Sequence, residues 1–286
     1  MRKNIKNNFL TFVDVDFHKK TKSGNFLFDL LSKYFLTNFV WVKSKNNNFI
    51  FDAKSNKLKE NIFFFQYLPN LLDLFRLRKK TIFWAPMYDD AKSKNFFFWL
   101  IVLIFNVKVI SFSRKISNIC KNYKIKFLYL KYFPNIKKFK TKKNNSKVTV
   151  FFWYRGTIKL TDWLNCIKSN DIKKINYYNL KDPNFSNEKI SNTVIKKYKI
   201  KIHHGKYGKT ESLYNNLIKD SDIYVAPRER EGIGHSFLEA MSQGKYILSK
   251  KEETMSEYIS SNKIGCFFDY KINLKNINNF FYERIN

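Results

Sequence analysis

The pattern that most restricts the fold of this chain is an alternation. Short apolar runs are each closed by a polar loop and followed by a stretch with helical apolar spacing. Strands are expected at 9–15, 39–42, 62–65, 81–84, 107–111 and 125–130, with a polar loop at 16–24 and helices over 25–34, 71–77, 94–105 and 114–122. Residues 134–147 contain KKFKTKKNNSK, which has no apolar period and reads as a solvated linker. The alternation then restarts, with strands at 148–153, 174–178, 198–203, 223–226, 246–248 and 265–268. Helices are expected over 158–168, 187–194, 211–220, 235–243, from 254 onward, and over 272–283. Strand, helix and strand in repetition describe parallel sheets with crossover helices. The expected fold class is therefore α/β: two Rossmann-like, doubly wound domains, 1–134 and 148–286, joined by a linker at 135–147.

Composition narrows the function classes. A chain of 286 residues with 44% hydrophobic residues can bury a real core, which excludes wholesale disorder. The formal charge of +31 raises the question of nucleic acid. Most of that charge is Lys, spread along the chain, in a sequence also rich in Asn, Phe and Ile. It favours phosphorylated ligands and anionic membranes more than one nucleic-acid face. Scarce residues carry more information: of the 8 Gly, only Gly24 lies in the first half, and Arg155, Arg228 and Arg230 fall in expected strand-end loops. Cys120, Cys166 and Cys266 have no metal-ligand spacing and suggest a reducing compartment. No secretory signal is read at the start, because Asp14 and Asp16 interrupt the first apolar run. The longest run, FFFWLIVLIF at 96–105, is too short to span a bilayer and is expected as a buried helix; a monotopic membrane contact is the alternative.

The most informative stretch is SDIYVAPREREGIGHSFLEAMSQGKYILS, residues 221–249. Ile223-Tyr224-Val225-Ala226 reads as a buried strand closed by Pro227. Arg228 to Gly234 is a charged loop, and His235 to Gln243 a helix with Phe237, Leu238 and Met241 on its core side. Gly244 ends that helix and Tyr246-Ile247-Leu248 begins the next strand. Ligands of such sheets bind at the carboxyl ends of strands, where loops meet helix N-termini. Two acids stand there, Glu231 in the loop and Glu239 in the expected first helical turn. Ser236-x-x-Glu239 is also a capping box, in which Glu239 would reach back to the cap N–H. Thr254-x-x-Glu257 reads as a second one.

The whole stretch E-G-I-G-H-S-F-L-E-A-M-S-Q-G-K, with its preceding strand and proline, resembles the donor-site motif of retaining GT-B glycosyltransferases. That group includes glycogen-synthase-like and group 1 lipopolysaccharide and capsule enzymes. The resemblance implies two domains facing each other across a cleft. It implies that Glu239 accepts hydrogen bonds from ribose hydroxyls and Glu231 from hydroxyls of the transferred sugar. Gly232, Ile233, Gly234, His235 and Ser236 would bring backbone N–H groups and a helix N-terminus to the diphosphate. Arg155-Gly156-x-x-Lys159, after the strand at 148–153, resembles the basic pair on that diphosphate, at a spacing slightly narrower than the family's. His204 and Gly205 end a strand where the family's loop meets the base. The first domain would lend a polar residue near the reacting carbon, with His18 and Asp89 as candidates.

Two other motifs are weaker. Asp14-Val15-Asp16 matches a D-x-D metal motif but falls on the first strand, and Gly232-Ile-Gly-His-Ser-Phe lacks the third glycine of a dinucleotide fingerprint. The expected function is sugar transfer from a nucleotide-sugar donor to a glycan or lipid-linked acceptor of surface polysaccharide biosynthesis. No essential metal and no nucleic-acid partner are expected. The expected location is cytoplasmic, with peripheral contact to an anionic membrane. The rivals are a basic RNA- or membrane-binding protein with a degenerate sugar site, and a nucleotide-sugar epimerase.

Overall fold

The structure is a computed structural model that describes residues 9–16, 18–21, 24–45, 48–51, 60–86, 91, 94–135, 147–165, 170, 172–182, 185–229, 231–259 and 264–267. The chain forms two compact units, Met1–Lys131 and Tyr132–Asn286.

The first unit runs β1 (Phe9–Val15), α1 (His18–Thr21), α2 (Asn25–Leu31), β2 (Leu36–Lys45), β3 (Asn48–Ile50), β4 (Ile62–Phe65), α3 (Leu71–Arg76), β5 (Thr81–Trp84), α4 (Phe96–Ile104), β6 (Lys108–Ser111), α5 (Arg114–Asn122) and β7 (Phe127–Tyr129). Its sheet has the order β3-β2-β1-β4-β5-β6-β7. All neighbours pair in parallel except β3, an antiparallel edge strand that the sequence pattern does not announce. Strand side chains alternate between faces. Phe12 and Phe64 stack at 5.1 Å on one face, where Phe28 of α2 and Phe39 join them. Val13, Phe63 and Phe65 enter the opposite core with Leu74 of α3, Trp99 and Val102 of α4, and Ile116 of α5. Asn70, Asn95 and Ser113 cap α3, α4 and α5, each accepting from the N–H three residues on.

The second unit runs β8 (Val148–Tyr154), α6 (Leu160–Leu164), β9 (Ile172–Asn179), α7 (Asn192–Tyr198), β10 (Ile200–His204), α8 (Glu211–Asp220), β11 (Ile223–Val225), α9 (His235–Ser242), β12 (Tyr246–Ser249), α10 (Glu253–Ser256) and β13 (Gly265–Phe267). Its six strands follow the order β10-β9-β8-β11-β12-β13, all parallel. The order reverses between β8 and β11, where doubly wound sheets open a crevice at their carboxyl edge. Both faces of β8 are buried: Val150, Phe152 and Tyr154 pack with Trp163 of α6, while Phe151 meets Tyr214 of α8 and Tyr224 of β11.

The expected α/β class with two doubly wound sheets is found, and several local expectations are corrected. The helix placed at 187–194 is α7, at 192–198, because Ser191 accepts from the Val194 N–H and so fixes its start. It stops where Lys199 turns left-handed (φ 50°) into β10. The 16–24 loop contains α1. Thr254 is not a cap: Glu252 accepts from the Thr254 N–H and starts α10. The run at 96–105 is not a buried helix. Trp99 and Val102 of α4 face the core, but Phe96, Phe97, Leu103 and Ile104 are exposed. The helix expected over 272–283 lies outside the described residues, and no described helix is long and apolar enough to cross a membrane.

Candidate functional site

The carboxyl edge of the second sheet gathers charge at its switch point. Arg155 directly follows β8, and the loops after β9, β10 and β11 bring Asp182, Tyr207 and Arg228 to it. Asp182 joins the two guanidiniums. Its Oδ1 accepts from Arg155 Nε at 3.1 Å and from Arg155 Nη2, and its Oδ2 accepts from Arg228 Nη2 at 2.9 Å. The Tyr207 hydroxyl donates to Oδ1 at 2.9 Å and lies 3.3 Å from Arg155 Nη2. Trp153, two residues back on the same face of β8, lies under the Arg155 guanidinium at 4.7 Å from the ring centre.

Burial and charge act together here. Burial alone would lower the Arg155 pKa, but Tyr207, Asp182 and Glu231 outweigh it and raise it. Burial would likewise raise Asp182, yet Arg155 and Arg228 hold its carboxyl below the usual range. Tyr207 is pushed up to about 12, by burial first and then by Asp182, against Arg155. Arg155 is thus a fixed cation and Asp182 a fixed anion at neutral pH.

Glu231 stands in the loop between Arg228 and α9. It is 9% exposed, and burial raises its pKa against the opposing pull of Arg228 and Arg155. No described side chain donates a hydrogen bond to it. An ionised carboxylate at this place can only accept hydrogen bonds.

The helix beside it starts differently from the capping-box expectation. The N-cap of α9 is Gly234, left-handed at φ 68° and ψ 39°, with no side-chain cap. Ser236 therefore sits inside the first turn and Glu239 in the second. Glu239 does not reach back to the cap; its Oε1 lies 3.5 Å from His235 Nδ1, and its side chain is 35% exposed. His235 stacks on Tyr132, with centroids 5.0 Å apart and 11° between planes. Burial lowers the His235 pKa while Glu239 opposes. Gly244, left-handed at φ 72°, ends the helix as expected.

Gly234 is required at its place. A side chain there would be left-handed, and its Cβ would fall 1.8 Å from Cε1 of the buried Phe237 ring. Gly234→Ala is expected to lose about 2–4 kcal/mol of stability, combining the left-handed penalty with displacement of a packed ring. Thermal denaturation checks this, and a melting temperature equal to the parent's would contradict the left-handed cap.

The remaining expected residues separate. Gly232, Ile233 and Gly234 are buried in the turn before α9, and Ser236 is half-buried. His204 and Gly205 lie at the end of β10, on the edge that carries Arg155, with the Gly205 N–H donating to Asn179 O at 2.9 Å. Lys159 is exposed at the N-cap of α6, where its carbonyl accepts from the Trp163 N–H at 3.3 Å and its side chain makes no described bond. The first N–H groups of α6 go instead to Glu188: Leu160 N donates to Oε2 at 3.0 Å and Thr161 N to Oε1 at 3.2 Å. His18 is in the first unit, 3% exposed, with Nδ1 2.7 Å from Oδ1 of the buried Asp14. Asp89 lies outside the described residues. Sequence reasoning missed Asp182 and Tyr207 and noted Arg228 only as a scarce arginine. Scarcity was the available signal, because acids number only 23 in this chain and Asp182 follows a strand end.

Residues 186–279, about a third of the chain, match the family model of glycosyl transferases group 1. No curated protein matches the chain. Solved structures share its fold. A glycosyltransferase from Rickettsia africae ESF-5 superposes with a TM-score of 0.60 at 13% identity, covering 98% of this chain and 89% of that one. The lipopolysaccharide outer core galactosyltransferase WaaB gives 0.59 at 11% identity, with 98% and 91% covered. A TarM variant from S. aureus, solved with fondaparinux, alpha-GlcNAc-glycerol and UDP, gives 0.51 at 15% identity. That match covers 77% of this chain and 47% of TarM, so the chain spans about half of TarM's length. The two-unit α/β architecture is the GT-B fold of these neighbours, and the resemblance to group 1 glycosyltransferases is matched within the second unit.

Proposed function

We propose that this chain is a retaining glycosyltransferase. It takes a hexosyl group from a nucleotide-sugar donor and passes it to a glycan or lipid-linked glycan during surface polysaccharide synthesis, on the cytoplasmic face of a membrane. The observation that carries the reading is the pair of guanidiniums, Arg155 and Arg228, fixed by Asp182 at the switch point beside the N-terminus of α9. Fixed cations beside backbone N–H groups suit a diphosphate. Glu231 then accepts hydrogen bonds from hydroxyls of the transferred sugar, and Glu239 from those of the ribose. In the transfer the bond from the sugar's anomeric carbon to the phosphate oxygen breaks. A bond to the acceptor oxygen forms on the same face, the acceptor's proton passes to the donor phosphate, and the nucleoside diphosphate leaves. The arginines stabilise the charge that grows on the leaving phosphate. No metal is assigned a role. TarM, a protein of the same fold, was solved with UDP, and WaaB is a galactosyltransferase of the lipopolysaccharide core; both fit this substrate class.

Thermal shifts with UDP, GDP, ADP and CMP test the reading on the parent and on Glu239→Ala. Ligand at ~100 times its dissociation constant adds about 2.7 kcal/mol, several degrees for a protein of this size. One nucleotide is expected to shift the parent and not the variant. If none shifts the parent, while RNA does, the rival reading of a basic binding protein replaces this one.

A further inference from the structure

The apolar outer faces of α3 and α4 have no counterpart elsewhere among the described residues. Helix α4 reads FFFWLIVLI and carries no polar side chain. Trp99 and Val102 point inward, yet Phe96 is 57%, Phe97 69% and Ile104 67% exposed. Helix α3 repeats the arrangement, with Leu74 in the core and Leu71 53%, Leu72 69% and Phe75 56% exposed. The crossovers β4-α3-β5 and β5-α4-β6 step the same way along the sheet, and right-handed crossovers put such helices on one face. Both helices feed the same core cluster from that face. Their outer sides are therefore neighbouring parts of one surface, of a kind that soluble monomers keep small.

Among the described residues of α3, α4 and their flanks, the exposed charge has one sign. From Asn61 to Pro86 the single acid is Asp73, buried and bound to Arg76 at 3.1 Å. From Lys94 to Lys126 there is none. Arg76, Arg78, Lys79 and Lys80 close α3, and the Arg78 guanidinium lies 4.2 Å over the exposed Phe75 ring. Lys94 precedes α4, with its ammonium 5.6 Å from the Phe98 ring centre. A second copy of this chain would set these cations against their own equivalents. Anionic headgroups would meet them with opposite charge, while the phenylalanines and aliphatic side chains enter the acyl boundary.

We infer that the outer faces of α3 and α4 form a monotopic docking surface for an anionic lipid bilayer. Rings and aliphatic side chains insert, and the flanking Arg and Lys side chains reach the lipid phosphates along their own apolar stems. The surface lies in the first unit and does not depend on the proposed sugar transfer.

Co-sedimentation of the full chain with vesicles tests it without any nucleotide. Vesicles of phosphatidylglycerol mixed with phosphatidylcholine are compared with pure phosphatidylcholine. The parent is expected to bind the anionic vesicles at least tenfold more strongly and to weaken as salt rises. The double variant Phe97→Ser, Ile104→Ser is expected to lose at least tenfold in anionic binding with an unchanged melting temperature. Ile202→Ser, which removes an exposed apolar side chain of the second unit, should bind as the parent does. Equal binding to both vesicle types, or full binding by the double variant, would overturn the proposal. So would a parent dimer, seen by light scattering, that the same double variant dissociates. A parent that docks on vesicles yet ignores every nucleotide would sink the sugar-transfer reading and leave this one standing.

Discussion

Replacing Glu231 by glutamine is expected to lower sugar transfer by about a hundredfold or more while raising the melting temperature at neutral pH. Hydrogen bonds to a charged acceptor are worth roughly 1.5–3 kcal/mol each. Losing two that tighten in the transition state reaches that factor, since ~1.4 kcal/mol is tenfold. The stability effect has the opposite sign because burial raises the Glu231 pKa above its ordinary 4.5. Ionising it is thus harder in the folded protein than in the unfolded chain. That penalty is absent below the ordinary value and complete once pH exceeds the folded value. The glutamine variant should therefore melt above the parent at about pH 7, and its advantage should vanish toward about pH 4. Thermal scans at the two pH values, beside a transfer assay, check both halves. A variant that melts lower at neutral pH would mean that Arg155 and Arg228 more than offset the burial.

Asp182→Ala should be among the most damaging changes outside the hydrophobic core. It leaves two guanidiniums side by side without the carboxylate that joins them. Breaking a buried pair costs about 3–5 kcal/mol. With the three side chains 16–21% exposed, the lower end applies. Asp182 has a folded pKa below its ordinary 3.8, so its stabilising contribution is present above that value and lost as pH falls through the folded one. Parent and variant should differ at neutral pH and converge only in strong acid. Urea denaturation measures the difference. Nucleoside diphosphate affinity should fall at least tenfold, because the forks lose the orientation that end-on phosphate binding needs. Tighter phosphate binding would show instead that Asp182 competes with the ligand.

The strand positions were legible because each is a short β-branched or aromatic run closed by a turn residue, and such runs have few other places to go. Sheet order was not, since pairing partners are distant in sequence. The S-x-x-E at 236–239 misled because it satisfies a capping pattern, while the turn is already closed one residue before the helix by a left-handed glycine that needs no cap. Helix α4 misled for a different reason. Periodicity locates a buried face by its contrast with polar residues, and α4 offers no contrast. Asp182 escaped notice because it acts across loops from three strand ends, a convergence only the fold creates. Arg155, Glu231 and Glu239 could be put forward from the sequence because each sits in a local strand-loop-helix pattern, and the structure places all three within that pattern.

Tyr132 and Phe133 come only three and four residues after the end of β7, yet they belong to the second unit, where Tyr132 lies against His235 and Phe133 against Tyr258 at 5.7 Å. Tyr258 in turn meets Phe237 inside α9. The frontier of the second unit thus runs ahead of the lysine-rich stretch rather than behind it. A protease nick within 136–146 would not simply yield two independent halves. The amino-terminal fragment would carry off the two aromatic rings that brace the helix bearing Glu239, like a plug drawn on its own leash.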